Sequence, residues 1–379
     1  MAKPQKIWLS PPHMGDNEQK YIQQAFEDNW IAPVGPSIIA FEKDLELYLG
    51  NRVHVAALNS GTAALHLGLI MLGIQPGDEV FCQSFTFSAS ANPILYAGAI
   101  PVFIDSEPES WSMCPDCLET ALKTKAQKGK LPKAIIVVHL YGMPCKIKDI
   151  MYIAGKYGVP VLEDSAEALG SRYGGEYCGT FGDIGILSFN GNKIITTSGG
   201  GALITKRKEF KERAVHLATQ AKKDKPYYEH DEIGYNYRMS NIAAAIGRGQ
   251  MEVLDTYIAK RRKNHAAYAD FFSATQQISV LEEYSLDCYS NFWLTTITVN
   301  PSEDSIVPEN IRVKLSSENI ESRPLWKPMH LQPVFKDAEY VGGDVAEKLF
   351  NTGLCLPSGS GLTDTEKERI FSTLREFLF

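Results

Sequence analysis

The feature that most constrains this chain is a series of short, unbroken apolar runs separated by segments of helical character. VHVAALNS (53–60), DEVFCQSFTF (78–87), IPVFIDS (100–106), KAIIVVHLYG (133–142) and VPVLEDSA (159–166) are bounded by polar or turn residues. Between and before them lie DNEQKYIQQAFEDNW (16–30), GTAALHLGLIMLG (61–73), SASANPILYAG (88–98) and IKDIMYIAGKYG (147–158). A strand with one wet face alternates apolar and polar residues, whereas a strand covered on both faces stays apolar along its length. The pattern therefore predicts an α/β fold with a mostly parallel sheet sandwiched by helices. Segment 61–73 is apolar nearly all round, as expected of a buried helix.

The pattern changes near residue 250. Residues 239–272 read as one long helix or two joined helices, followed by a strand at 291–300, a helix near 308–319 and a terminal helix at 365–379. The expected organisation is a large domain over 1–250 and a smaller C-terminal α/β domain over 251–379. With 379 residues, 44% of them hydrophobic, the chain can bury two such cores.

Charge and composition exclude several functions. The net charge is −7 and no basic run occurs, so nucleic acid is not the expected partner. No apolar stretch approaches about 18 residues, so no membrane span is expected. The opening MAKPQKIWLSPPHMG has no apolar core after its lysines and does not read as a signal peptide. Seven irregularly spaced cysteines suggest reduced thiols and a cytoplasmic protein. Cys114-Pro-Asp-Cys117 is a lone CxxC with no second pair for zinc, and it reads as a helix start with incidental cysteines.

In α/β sheets, ligands bind beyond the carboxyl ends of the strands. Three loops there carry polar residues. In Asn59-Ser60-Gly61-Thr62-Ala63 a strand stops and an apolar helix begins, so freed amides and the Thr62 hydroxyl suit either an anion or ordinary helix capping. Asp164 ends VPVLED as a cap or as the partner of a buried cation. Lys193 follows the strand Gly182–Phe189 and precedes three glycines, as an exposed loop lysine or as an amine aimed into a cleft. A cofactor with a phosphate, a basic ring nitrogen and an aldehyde fits the three loops together; that cofactor is pyridoxal 5′-phosphate. The stretch Ser84-Phe85-Thr86-Phe87 offers a ring to stack on it, or plain core.

The motifs NSGTAALHLGL, SFTFSASANPI, PVFID, VHLYG, EDSAEALGS, GTFGDIGILSFNGNKIITTSGGG and GYNYRMSNIAAAIG resemble those of the DegT/DnrJ/EryC/StrS sugar-nucleotide aminotransferases, of the aspartate aminotransferase-like superfamily (fold type I). The resemblance covers nearly the whole chain. It implies Lys193 as the Schiff-base lysine, Asp164 on the pyridine nitrogen and Phe87 on the ring face. Gly61, Thr62 and Ser188 would hold the phosphate. Glu167 stands near the cofactor's 3′-oxygen, where relatives carry Gln or His. The resemblance also implies a homodimer with shared active sites, in which Asn241 reaches the partner's phosphate and the small residues Ala243, Ala244, Ala245, Gly247 and Gly249 allow close packing. A narrower resemblance, carried by SPPHMG, YEHDEIGYNYRMSN, ESRPLWKPMH and CLPSG, is to aminotransferases of the UDP-N-acetylbacillosamine pathway. It implies a UDP-4-keto-6-deoxy-N-acetylhexosamine and L-glutamate as substrates, with Arg238, Arg323, Trp326 and His330 on the substrate side. Sugar 3-dehydratases on the same scaffold carry histidine where this chain keeps Lys193.

Overall fold

The computed structural model describes residues 5–300 and 307–378. Residues 1–4, at the start of the N-terminal segment considered above, and Phe379, at the end of the expected terminal helix, lie outside the described residues.

The central sheet has eight strands: β1 (His54–Leu58), β2 (Glu79–Gln83), β3 (Ile100–Ile104), β4 (Ala134–Val138), β5 (Val161–Asp164), β6 (Ile184–Ser188), β7 (Gly201–Thr205) and β8 (Glu339–Val341). Their spatial order is β1-β7-β6-β5-β4-β2-β3-β8. Only β7 runs antiparallel to its neighbours, pairing Gly201 with Leu58 and with Ser188. The apolar runs are strands because both faces are covered. On one face Leu65, Leu67 and Leu69 of the helix Gly61–Met71 and Leu217 of the helix Lys208–Ala218 pack on Leu58, Cys82, Ile136 and Leu162. On the other, Leu118, Leu122 and Ile150 meet Phe81, Val102, Ile135 and Val137. The helix Gly61–Met71 approaches so closely that a Cβ at Gly68 would lie 2.8 Å from Leu162 Cδ1.

Strands are shorter than the apolar runs wherever the chain leaves the sheet to build loops. Ser84–Phe87 departs after β2 and leads into a 3-10 turn, Ser88–Ser90, and a short helix, Asn92–Tyr96, rather than one helix over 88–98. Residues 239–272 resolve into a single helix, Asn241–Phe272, which runs unbroken across residue 250. Four short strands, Ile278–Val280, Thr295–Val299, Gly353–Leu356 and Arg323–Pro324, form a second, antiparallel sheet. β8 comes from the same C-terminal third but pairs in parallel with β3 of the large sheet. The small residues of the long helix are used within the chain. A Cβ at Gly247 would strike the Phe41 ring at 2.7 Å, and one at Gly249 the Glu18 backbone at 2.7 Å.

Candidate active site

The carboxyl ends of β1, β5 and β6 surround a cavity of about 310 Å³. Each wall has a local cause. Ser60 caps the helix Gly61–Met71 by accepting the Ala63 amide at 3.0 Å, which leaves the Gly61 and Thr62 end of the helix facing the cavity. Gly61 packs tightly here, since a Cβ would sit 3.1 Å from the Ser188 Cβ and one of the two would have to give. Gly201 lies against the same turn, its own Cβ position 2.3 Å from the Gly61 nitrogen. The third glycine of the run is thus required by backbone meeting backbone. With the Thr62 and Ser188 hydroxyls lining the cavity, this corner suits an anion, favoured further by the helix dipole.

Asp164 and its neighbour Glu163 point to opposite sides of β5, as strand geometry demands. Asp164 is 4% exposed and lines the cavity. One carboxylate oxygen accepts the Ser90 hydroxyl at 2.7 Å, and the other accepts the Ala166 amide at 3.1 Å. Ser90 in turn shares a 2.8 Å bond with Thr86. Glu163 faces away. Its oxygens take the amides of Gly179, Phe181 and Gly182 and the ring of His139. The Cys145 amide donates to His139 Nδ1, so Nε2 carries the proton given to Glu163. This buried network holds the end of β5, and Asp164 with it, in one position.

Lys193 enters from a pinned loop. The carbonyl of Asn192 accepts both the Trp293 indole N–H at 2.7 Å and the Ser10 hydroxyl at 2.8 Å. The Lys193 amine lies 3.3 Å from Glu167 Oε1 and 4.0 Å above the Trp293 ring. Glu167 also accepts the Tyr141 amide at 2.6 Å; Tyr141 adopts a left-handed backbone, φ 56°, to present it. Burial raises the Glu167 carboxyl above its ordinary range, with the Lys193 charge and the Tyr141 hydrogen bond opposing the rise.

That shift has a thermodynamic consequence. The unfolded carboxyl titrates at its ordinary value and the folded one higher, so the native state binds more protons between them and loses stability as pH rises through that window. Glu167→Gln removes the titration. The apoprotein variant is expected to gain thermal stability over the parent progressively above the ordinary carboxyl range, as followed by melting temperature against pH. A difference independent of pH would refute the buried-carboxyl account.

Phe87, Trp326 and Tyr141 form an aromatic series at the mouth. Phe87 and Trp326 have centroids 5.3 Å apart, and Trp326 stacks on Tyr141 at 6.1 Å. The Trp326 indole nitrogen is buried, with no hydrogen-bond partner among the described residues. A second cavity, of about 390 Å³, shares Asn192, Trp293 and Trp326 with the first and reaches Trp8 and Arg323. Arg323 is exposed and pairs with Glu321 at 2.6 Å.

The structure therefore gathers Lys193, Asp164, Glu167, Gly61, Thr62, Ser188, Phe87 and Trp326 around one cavity. Three expected residues stand elsewhere. Asn241 is fully buried, its side-chain oxygen accepts the Ser37 and Ile38 amides at 2.9 and 3.2 Å, and its NH2 donates to the Trp30 carbonyl. Its amide is committed to its own chain at the start of the helix Pro36–Tyr48, so it does not reach out to a partner's phosphate. Arg238 pairs with Glu42 and donates to the Ala57 carbonyl at 2.9 Å, bracing β1 instead of lining either cavity. His330 sits between Ser84, at 2.6 Å, and Glu347, at 3.2 Å, stacked on Tyr340; it holds the loop beside β8 and lines neither cavity. Trp293, Ser90 and Tyr141 were not singled out from sequence, although Ser90 lies within the SFTFSASANPI motif and Tyr141 within VHLYG.

The cavity's donor set fits pyridoxal phosphate: a helix end with two hydroxyls for the phosphate, a buried carboxylate for the ring nitrogen and one amine for the aldehyde. Comparison with known proteins agrees. The model of the DegT/DnrJ/EryC1/StrS aminotransferase family matches residues 12–375. The chain belongs to this family. It is a pyridoxal-phosphate-dependent sugar-nucleotide aminotransferase with the aspartate aminotransferase-like fold. It is 50% identical over 373 residues to EpsN of Bacillus subtilis (strain 168), covering 97% of this chain and 95% of that one. It is 37% identical over 367 residues to the GDP-perosamine synthase of Escherichia coli O157:H7, covering 97% of each. The crystal structure of a DegT/DnrJ/EryC1/StrS aminotransferase from Brucella abortus superposes with a TM-score of 0.87 at 31% identity, covering 95% of both chains.

Proposed function

We propose that this aminotransferase transfers the amino group of L-glutamate to C4 of a UDP-4-keto-6-deoxy-N-acetylhexosamine, giving the UDP-4-amino-4,6-dideoxy sugar of a UDP-N-acetylbacillosamine-type pathway. The observation that carries the reading is the pair of adjoining cavities. The inner one gathers Lys193, Asp164 and the phosphate-suited helix end, and the outer one offers Trp8 and Trp326 faces for a base and Arg323 for a diphosphate.

When bound, pyridoxal phosphate supplies an aldehyde that condenses with amines and a protonated ring that accepts the electron pair released at a substrate carbon. The Gly61–Thr62 amides and the Thr62 and Ser188 hydroxyls hold the phosphate. Phe87 covers the ring. Asp164, fixed by Ser90 and Ala166, keeps the ring nitrogen protonated. Lys193 would anchor the aldehyde, and its free Nζ would take the proton off the glutamate α-carbon and pass it on to the cofactor; in the sugar half it would deliver a proton to C4 of the sugar. Glu167 and the Trp293 ring hold that amine in place between the two halves.

We further propose a homodimer with shared active sites. The loop ahead of the long helix exposes Tyr227, Tyr228 and Ile233, the last two at 82%. It runs into Asn236, whose carbonyl accepts the side-chain amide of Asn59 on the cavity wall. A partner seated on that loop covers the apolar residues and reaches the cavity rim. A single-chain mass by light scattering at working concentration would refute it.

Substrate choice is tested with a panel of UDP- and GDP-linked 3-keto and 4-keto sugars, with glutamate as donor and NMR of the product. The UDP-linked 4-keto N-acetyl sugar is expected to lead the others in kcat/KM by about 100-fold or more, since an apolar pocket alone reaches about that ratio and a site whose hydrogen bonds go unmade with the wrong sugar exceeds it. Preference for a GDP-linked sugar would move the enzyme to the perosamine type, which the similarity to GDP-perosamine synthase makes the second reading.

A further inference from the structure

Five of the seven cysteines are buried, and all seven are free thiols. Cys114 and Cys117 differ from the rest: both are partly exposed, and both border a cleft of about 630 Å³ that shares no residue with the two cavities above. They sit on the first turn of the helix Pro115–Gln127, which connects β3 to β4. Cys114 occupies the cap position with an extended backbone, Pro115 is the first helical residue, and the Cys117 amide donates to the Cys114 sulfur at 3.4 Å. A sulfur thus stands where a cap normally places a serine or aspartate oxygen. A neutral thiol is a weak acceptor there, whereas a thiolate is a good one and gains from the positive end of the helix.

The two sulfurs are also set apart chemically. The Cys117 thiol donates to Cys114, and with the amides of Asp116 and Cys117 this pulls the Cys114 thiol down to about 6, against burial and the Asp116 charge. The same bond, with burial, pushes the Cys117 thiol up. The surrounding groups do not create this asymmetry. Asp105, Asp116 and Asp149 are acidic, and the nearby cations are already engaged, Lys146 with Glu107 and Glu109 and Lys156 with Glu119. The helix end and the thiol–thiol hydrogen bond decide it.

We propose that Cys114 and Cys117 are a redox-active dithiol, which small organic disulfides oxidise reversibly with Cys114 as the attacking sulfur. The Cys114 thiolate attacks one sulfur of the disulfide; that S–S bond breaks, one thiolate leaves, and a mixed disulfide remains on Cys114. Cys117 loses its proton to solvent and attacks the Cys114 sulfur, and the second thiolate departs. Two electrons pass from the protein dithiol to the small disulfide, and the two protons released end on the two departing thiols.

The experiment uses the holoenzyme and oxidised glutathione, with peptide mass mapping. The parent is expected to form a Cys114–Cys117 bond that dithiothreitol reverses, with the other five cysteines unmodified. Cys117→Ser should trap glutathione on Cys114. Cys114→Ser, whose serine still caps the helix, should leave Cys117 free of adduct. At pH 7 a thiol of pKa near 6 carries about 30-fold more thiolate than an ordinary one, but its lower nucleophilicity returns about 10-fold of that gain. The sharper reading is therefore the pH profile of Cys114 alkylation by iodoacetamide. It is expected to be half-maximal near pH 6, and to move upward in Cys117→Ala, which lacks the donor. A half-maximum above about pH 8, the range of an ordinary thiol, would overturn the proposal. So would equal labelling of Cys117, or the absence of any Cys114–Cys117 bond.

Discussion

Lys193→Ala is expected to abolish turnover while leaving the fold intact. The lysine sits on a loop whose shape other groups fix. Asn192 is held by Trp293 and Ser10, and further along the Thr196 amide donates to Gln250 and the Thr197 amide to the Phe189 carbonyl. Among the described residues, the amine itself makes side-chain contacts with Glu167 and the face of Trp293 alone. Truncation therefore removes the Glu167 ion pair and the Trp293 contact but none of the bonds that shape the loop, and the buried Glu167 answers the loss of its cation by keeping a proton. What disappears is the one amine in the cavity, with both its tasks: anchoring the aldehyde and moving the α-proton. Each task is worth orders of magnitude, so a loss of about 10⁴-fold or more in kcat is expected. Three measurements check it together. Far-UV circular dichroism should match the parent, the visible band of lysine-linked cofactor should be missing, and borohydride reduction should leave no label at residue 193. Turnover within about tenfold of the parent would refute both the role of Lys193 and the aminotransferase chemistry built on it.

Much of this site was legible because its residues lie at strand ends. A doubly covered parallel strand is written as an unbroken apolar run, and the loops that follow β1, β5 and β6 meet at one edge of the sheet by topology alone. The residues that stand elsewhere are those whose direction depends on distant partners. Asn241 is at a helix start, but its amide is claimed by Ser37 and Trp30, about 200 positions earlier. Nothing local announces that. Arg238 is likewise drawn to Glu42, and His330 to Ser84 and Glu347. Trp293 was hidden differently: NFWLTTITVN reads as one strand, yet the strand begins at Thr295, and the preceding turn aims the indole at the lysine loop. β8 is three residues long and only partly apolar, too short to show a period, so its return to the large sheet from the C-terminal third was invisible.

Asp164→Asn is expected to keep the cofactor and lose most of the rate. Asparagine has the same shape, its carbonyl oxygen can still accept the Ala166 amide, and the Ser90 hydroxyl can turn from donor to acceptor toward the new NH2. The Glu163 network that anchors β5 is untouched. The contacts proposed for the phosphate, the ring face and the aldehyde, through Thr62, Ser188, Phe87 and Lys193, are also untouched, so binding should persist. The lost element is a negative charge in a site that is 4% exposed, where water cannot replace it. A neutral amide no longer holds a proton on the ring nitrogen, and the electron pair from the α-carbon is then poorly stabilised. Removing one electrostatic partner at a reacting centre costs about 10²- to 10³-fold in kcat. Single-turnover reaction with glutamate should show that loss, with the glutamate dependence little changed. A cofactor analogue methylated on its ring nitrogen carries the charge permanently, and it should restore a large part of the rate to the variant while giving the parent nothing. A near-normal rate with the ordinary cofactor would reduce Asp164 to a cap for the turn at Ala166. A slow variant that the methylated analogue does not improve would mean that Asp164 positions the ring and does not charge it.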